Sequence, residues 1–263
     1  MIQAIRSGKV SEVNDIIRSN HPIKWSVIVK KTGWDALHLA CLGGHDAIVV
    51  LLLALPGIDV NVKLRTGWTP FSLSVCKGRI SCVRVLLNDS RVNVNEPTDS
   101  EYTPLWWATF LGHINIIKWW IASGREVDMG APGNPRKNAI QRARDIGPSL
   151  NEARRREKEE LVTLLERFKE NPGETRHQVR MELGCVDELA AGVFALVVFV
   201  SDSLLGICQG EMATSPAARF FSIVRELPLE LHMVLCYRLV GSAKEIIPAK
   251  EREAAFKDLA TRI

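Results

Sequence analysis

The sequence is short of the features that mark membrane proteins, secreted disulfide frameworks and metal sites. A spanning helix needs about 20 predominantly apolar residues. The stretch that tests this, LAAGVFALVVFV at Leu189–Val200, runs for only 12 residues before Ser201, Asp202 and Ser203. A run of that length predicts a buried core helix, so no stable membrane insertion is expected. The opening MIQAIRSGKVSEV carries no apolar segment of the kind a secretory signal needs. Cys41, Cys76, Cys82, Cys185, Cys208 and Cys236 show no CxxC pair and no framework spacing. They read as reduced thiols, which places the chain in the cytoplasm, with the nucleus as the alternative.

A one-signed charge is missing too. The 34 basic and 30 acidic residues leave a net charge of +4, too little to argue for nucleic acid. The run Arg154–Glu160 alternates in sign, as a solvated helix face does. No HExxH, GxSxG, Walker or GxGxxG stretch occurs, and His21, His177 and His232 stand apart without flanking partners. The expectation is a non-enzyme with no catalytic residues, no metal ligands and no cofactor.

What the sequence does hold is a repeat. TGWDALHLACLGGHDAIVVLLLALPGIDVN starts at Thr32, TGWTPFSLSVCKGRISCVRVLLNDSRVNVN at Thr66 and SEYTPLWWATFLGHINIIKWWIASGREVDMG at Ser100, a spacing of 34 residues. In register stand Asp35, Thr69 and Thr103, then Leu37, Phe71 and Leu105, then Gly44, Gly78 and Gly112. Each group has a job. Asp or Thr caps a helix, and Pro70 and Pro104 occupy first helical positions, where a missing N–H costs nothing. The glycines end that helix in a left-handed residue, and a second helix with apolar residues at helical spacing follows. IQAIRSGKVSEVNDIIR reads as a truncated first copy, and a degenerate copy opens at Asn138 with AIQRARDIG, is interrupted by about ten residues and resumes as ELVTLLERF.

These residues resemble the ankyrin repeat, whose T-P-L-H-x-A signature is met as DALHLA, TPFSLS and TPLWWA. Departures are Ser72 and Trp106 at the signature histidine and Glu101 at a usual hairpin glycine. The resemblance implies an all-α solenoid of helix-turn-helix units with hairpin loops over residues 1–169. The expected copies are 32–65, 66–99 and 100–134, with the truncated copy before them and the degenerate one at 135–169. A small helical module is expected at 170–263.

The resemblance also implies a non-catalytic protein-interaction or scaffold role, with a protein partner held on a concave face of hairpin tips and first helices. By register that face holds Trp34, Trp68 and Tyr102, flanked by Lys31, Arg65 and Ser100 and by Cys76, Lys77, Phe110 and Leu111 near first-helix ends. Tyr, Trp and Arg dominate binding hot spots, and Lys31 and Arg65 would suit a partner segment with apolar and acidic residues. Of the paired tryptophans, Trp107, Trp119 and Trp120 align with leucine and valine positions and are expected in the core, whereas Trp106 stands at a helix edge.

In the second segment, LPLELHMVLCYRL at Leu227–Leu239 resembles the opening of an F-box. That resemblance implies an alternative role as a ubiquitin-ligase adaptor, with a ligase component recruited through Leu227, Pro228 and Leu231. Leu-Pro before an amphipathic helix is also an ordinary helix start.

Overall fold

The first helices of the three full repeats and of the degenerate copy each open on a side chain that accepts an orphan backbone N–H. Asp35 accepts from the His38 amide at 2.8 Å, Thr69 from Ser72 at 3.1 Å, Thr103 from Trp106 at 3.3 Å and Asn138 from Gln141 at 3.1 Å. These caps fix where the helices start in a computed structural model that describes residues 2–19, 33–130, 138–144, 152–201, 229–239, 251–255 and 257. Lys31, Leu227 and Pro228 lie outside the described residues.

The first helices are α1 (Ile2–Arg6), α3 (Ala36–Gly43), α5 (Pro70–Cys76), α7 (Pro104–Leu111) and α9 (Ala139–Arg144). The second helices are α2 (Val10–Arg18), α4 (Asp46–Leu53), α6 (Ile80–Asn88), α8 (Ile114–Ser123) and α10 (Glu152–Glu170). First helices pack on neighbouring first helices, and second on second, so the repeats stack as two layers. Leu37, Phe71 and Leu105 are fully buried in the first layer, and Leu52, Leu86 and Trp120 in the second. A single unit could not cover these faces, so burial is a property of the stack.

Gly44, Gly78 and Gly112 have φ of 81°, 67° and 75°, the left-handed turn that hands each first helix to its second. The residue after each glycine reaches back one repeat. His45 Nε2 bonds the Arg6 carbonyl at 3.1 Å, Arg79 Nε donates to the Leu42 carbonyl at 3.1 Å, and His113 Nε2 bonds the Cys76 carbonyl at 3.4 Å. Each satisfies a carbonyl left unpaired at a helix end. A second seam joins the hairpin loops. Asn61 donates to the Arg91 carbonyl and accepts from the Asn93 amide, at 2.8 and 2.6 Å; Asn95 does the same with Glu126 and Asp128, at 3.3 and 3.0 Å. The second set is one residue out of register, which α8 absorbs by running 10 residues where α6 runs 9.

Of the residues inserted in the degenerate copy, those from Glu152 on are helical and continue into its second helix. Glu152–Glu157 form the exposed start of the 19-residue α10, whose Leu161, Leu164, Leu165 and Phe168 then turn inward. Helix α11 (Pro172–Glu182) follows, and its Arg176 donates to the Ile121 carbonyl at 3.2 Å.

The chain divides into two compact units, Met1–Val179 and Arg180–Ile263, with the division inside α11. In the second unit, α12 (Val186–Ser201) contributes Ala190, Ala191, Phe194 and Val197 to a core shared with Cys236 of the Leu229–Leu239 helix. The Leu189–Val200 run thus lies in a helix that packs inside its unit. Among the described residues no helix is long and apolar enough to cross a membrane.

Two of the expected core tryptophans are placed differently. Trp120 is fully buried, edge-on to Phe71 at 5.0 Å, with its N–H donated to the Glu126 carbonyl at 3.2 Å. Trp119 is only half-buried and lies under the Arg84 guanidinium at 3.8 Å. Its register mates Leu51 and Val85 are half-buried as well, so this position faces the edge of the second layer rather than its centre. Trp107 is half-buried, and Trp106, expected at an edge, is 8% exposed. Trp120→Ala is expected to cost about 3–5 kcal/mol and Trp119→Ala about 1–2 kcal/mol, measured by denaturant unfolding. Equal losses would contradict this assignment.

Candidate interaction face

Hairpin tips beside the first helices carry the sequence-predicted positions, and their backbone repeats closely. The Leu64 amide donates to the Trp68 carbonyl and Gly67 to Leu64, both at 2.9 Å; Thr98 donates to Tyr102 and Glu101 to Thr98, at 3.1 and 2.7 Å. These closures hold Trp68 and Tyr102 at the same place in successive units. Gly33 and Gly67 have φ of 80° and 75° at these tips, and Glu101 takes the same left-handed conformation at 61°. A side chain there costs roughly 1–2 kcal/mol. The third hairpin therefore keeps the turn geometry without the residue that makes it cheap.

The aromatic rings are not one column. Among the described residues Trp34 meets the ring of His38, in the helix that follows it, edge-on at 5.9 Å. His38 is buried, bonded to Asp35 at 2.8 Å and to the Trp68 carbonyl at 3.1 Å, so it ties the first full repeat to the second hairpin. Ser72, at the signature position one repeat on, instead completes a capping box with Thr69.

At the third repeat the rings converge. Trp68 lies 5.0 Å from Trp107, and Tyr102 stacks on Trp106 at 4.0 Å and meets Trp107 at 5.9 Å. Trp106 stands perpendicular to Trp107 at 5.0 Å and stacks on Phe110 at 5.3 Å. The Arg142 guanidinium covers this set, 4.4 Å from Phe110 and 5.5 Å from Trp106. Arg142 occupies in the degenerate copy the register position that Trp107 holds in the third. Each of the two packs over the aromatics of the repeat before it. Stacked and edge-on pairs add about 0.5–1.5 kcal/mol each beyond burial, and a cation over a ring is worth a comparable amount.

Of the predicted positions, Trp68, Tyr102 and Phe110 are brought together, and Trp34 is not in ring contact with them among the described residues. Phe110 and Leu111 are 40% and 41% exposed, continuing the buried rings onto the surface. Arg65, Ser100 and Lys77 are exposed, and Cys76 is half-buried. Trp106, Trp107 and Arg142 were missing from the predicted face. Register alone matched Trp107 to Leu39 and Leu73, which are nearly buried, but an indole is too large for that slot and spills toward Trp68. That size mismatch was the available signal.

One polar atom in the cluster is unmet. The Trp107 Nε1–H is buried without a hydrogen-bond acceptor, a state that costs roughly 1–3 kcal/mol. The thiols of Cys76 and Cys82 are held in their protonated form. Burial pushes Cys76 up against the opposing effect of Lys77, and pushes Cys82 to about 11. Among the described residues no group of three or more His, Cys, Asp or Glu side chains is placed to hold a metal ion.

Trp107→Phe removes the unmet donor and keeps most of the ring, so unfolding free energy is expected to stay within about 1 kcal/mol of the parent. A loss on the scale of a fully buried tryptophan would contradict this. Glu101→Gly is expected to raise the thermal midpoint through about 1 kcal/mol of relieved backbone strain. A fall would show that the glutamate side chain repays its conformation.

A search of curated proteins found no match to the chain. Residues 37–130 match the family model for ankyrin repeats, in three copies, a match that spans the three 34-residue units apart from the start of the first and the end of the third. Ankyrin repeats form protein–protein interaction modules. With its caps, left-handed glycines, two helix layers and family match in agreement, the stretch 37–130 is made of ankyrin repeats.

Proposed function

We propose that the chain is a non-catalytic interaction or scaffold protein that holds a protein partner on its hairpin-and-first-helix face, anchored at the third repeat. The observation that carries this is the ring set of Trp68, Tyr102, Trp106, Trp107 and Phe110, which runs from the core to exposed Phe110 and Leu111. A buried base with an exposed rim is how hot-spot pockets are built. Arg65, Ser100, Cys76 and Lys77 supply the surrounding polar rim, and Trp34 a separate contact one hairpin away. A soluble location in cytoplasm or nucleus belongs to the same reading.

The adaptor role is a second reading, favoured by Leu231. It is 47% exposed at the start of the Leu229–Leu239 helix while His232 and Cys236 are buried. Capture of a ubiquitin-ligase scaffold, lost on Leu231→Glu, would support it, and absence of capture would remove it.

The main reading is tested with the double variant Trp68→Ala, Phe110→Ala. Both residues are partly exposed. The variant is expected to keep its helical circular dichroism and a cooperative melt while losing a partner purified from source cells by about a hundredfold in affinity. A variant that binds normally would contradict the assignment.

A further inference from the structure

At the register position of Trp107 the earlier repeats hold Leu39 and Leu73, buried side chains without a polar atom. Trp107 brings an N–H to that place, and its Nε1–H is buried with no acceptor among the described residues. Trp120 shows the usual arrangement, its N–H donated to the Glu126 carbonyl at 3.2 Å. A buried donor without an acceptor is a standing cost that an incoming acceptor removes. The surroundings of the atom reach the surface. Trp107 itself is half-buried, as are Trp68 and Tyr102 packed on it, and Phe110, 6.0 Å away, is 40% exposed. Exposed side chains change rotamer within nanoseconds, so Phe110 is free to give way to an arriving group. Charge around this face is balanced. Glu157 lines the recess at Gly78 and Gly112, which neighbour Lys77 and Leu111 in the chain, and exposed Asp99 and Glu101 on the third hairpin tip offset exposed Arg65 on the second. Arg142 is engaged over Phe110 and Trp106.

We propose that Trp107 is the specificity-determining donor of this face: its indole N–H bonds a backbone carbonyl of an uncharged, extended partner segment whose apolar side chain lies on Phe110 and Leu111. The proposal rests on the reading of the ring set as a protein-binding face and names the group that recognises what binds there. A peptide carbonyl is the acceptor that fits. A carboxylate would shed its water among aromatic rings for one neutral donor, at a cost well above that of a carbonyl. An extended segment leaves its carbonyls unpaired and turns its side chains alternately to opposite sides. The rings of Phe110 and Trp107 lie 6.0 Å apart. At roughly 3.3 Å per residue, the carbonyl belongs to a residue within about two of the apolar one. Leu39 and Leu73 offer no donor, so among the three full repeats this anchor belongs to the third.

The test titrates the isotope-labelled full chain with a capped Gly-Gly-Leu-Phe-Gly-Gly peptide, and with versions carrying glutamates or lysines in place of the outer glycines. Nuclear magnetic resonance follows the Trp107 indole N–H, identified by its loss in Trp107→Phe. The neutral peptide is expected to move that resonance downfield and to slow its exchange with solvent. Its affinity is expected to fall about tenfold in Trp107→Phe. The same fall is expected when the benzothiophene analogue of tryptophan, which keeps the ring and lacks the N–H, replaces Trp107. Phe110→Ala is expected to abolish binding. Absence of binding by the neutral peptide, or a charged version that binds more than about tenfold tighter, overturns the proposal. If the neutral peptide binds, Phe110→Ala abolishes it and the benzothiophene variant binds like the parent, the donor role falls while the interaction face stands. Binding that ignores Phe110→Ala overturns both.

Discussion

The carbonyls at the ends of the first helices are where each repeat is held to the next. Arg6, Leu42 and Cys76 each present one, and His45, Arg79 and His113 answer from one repeat further along. Without that partner a helix-end carbonyl would be left to solvent, and the two helix layers would lose a fixed register. Because the link recurs at the same position, Leu37, Phe71 and Leu105 fall in line, as do Leu52, Leu86 and Trp120. The asparagine links between hairpins act in parallel at the other end of each unit. Stability in such an array is a sum over neighbours, so the seams matter more than any one unit.

The proposed interaction face grows out of the same register. Each first helix carries one position that packs over the repeat before it. Leu39 and Leu73 occupy it as buried side chains. Trp107 is larger, overlaps Trp68 and collects Tyr102, Trp106 and Phe110 around itself, while Arg142 repeats the move one step on. The third repeat also keeps a left-handed Glu101 and an unmet indole N–H. Two local costs beside one surface support the proposal that it serves recognition as well as folding.

The repeat architecture was legible because period, caps and glycines are local signals that agree with one another. Asp35, Thr69, Thr103 and Asn138 all cap as their residue types predict, and Gly44, Gly78 and Gly112 all turn left-handed. The face was only partly legible. Register gives which side of a helix a residue occupies, but not how far a large ring reaches beyond its slot. Trp106 and Trp107 were therefore exchanged in role, and Trp119 was read as deeper than its half-buried neighbours Leu51 and Val85 allow. Arg142 was invisible because its importance comes from packing on the repeat before its own.

The central claim is that a partner sits on the hairpin-and-first-helix side at the third repeat. Site-specific photo-cross-linking tests it most directly, with a photoreactive phenylalanine placed at Phe110 or at Val50, a residue 52% exposed on the second-helix layer. In source cells the account predicts a discrete protein adduct from position 110 and none from position 50. An adduct from position 50 alone would contradict it.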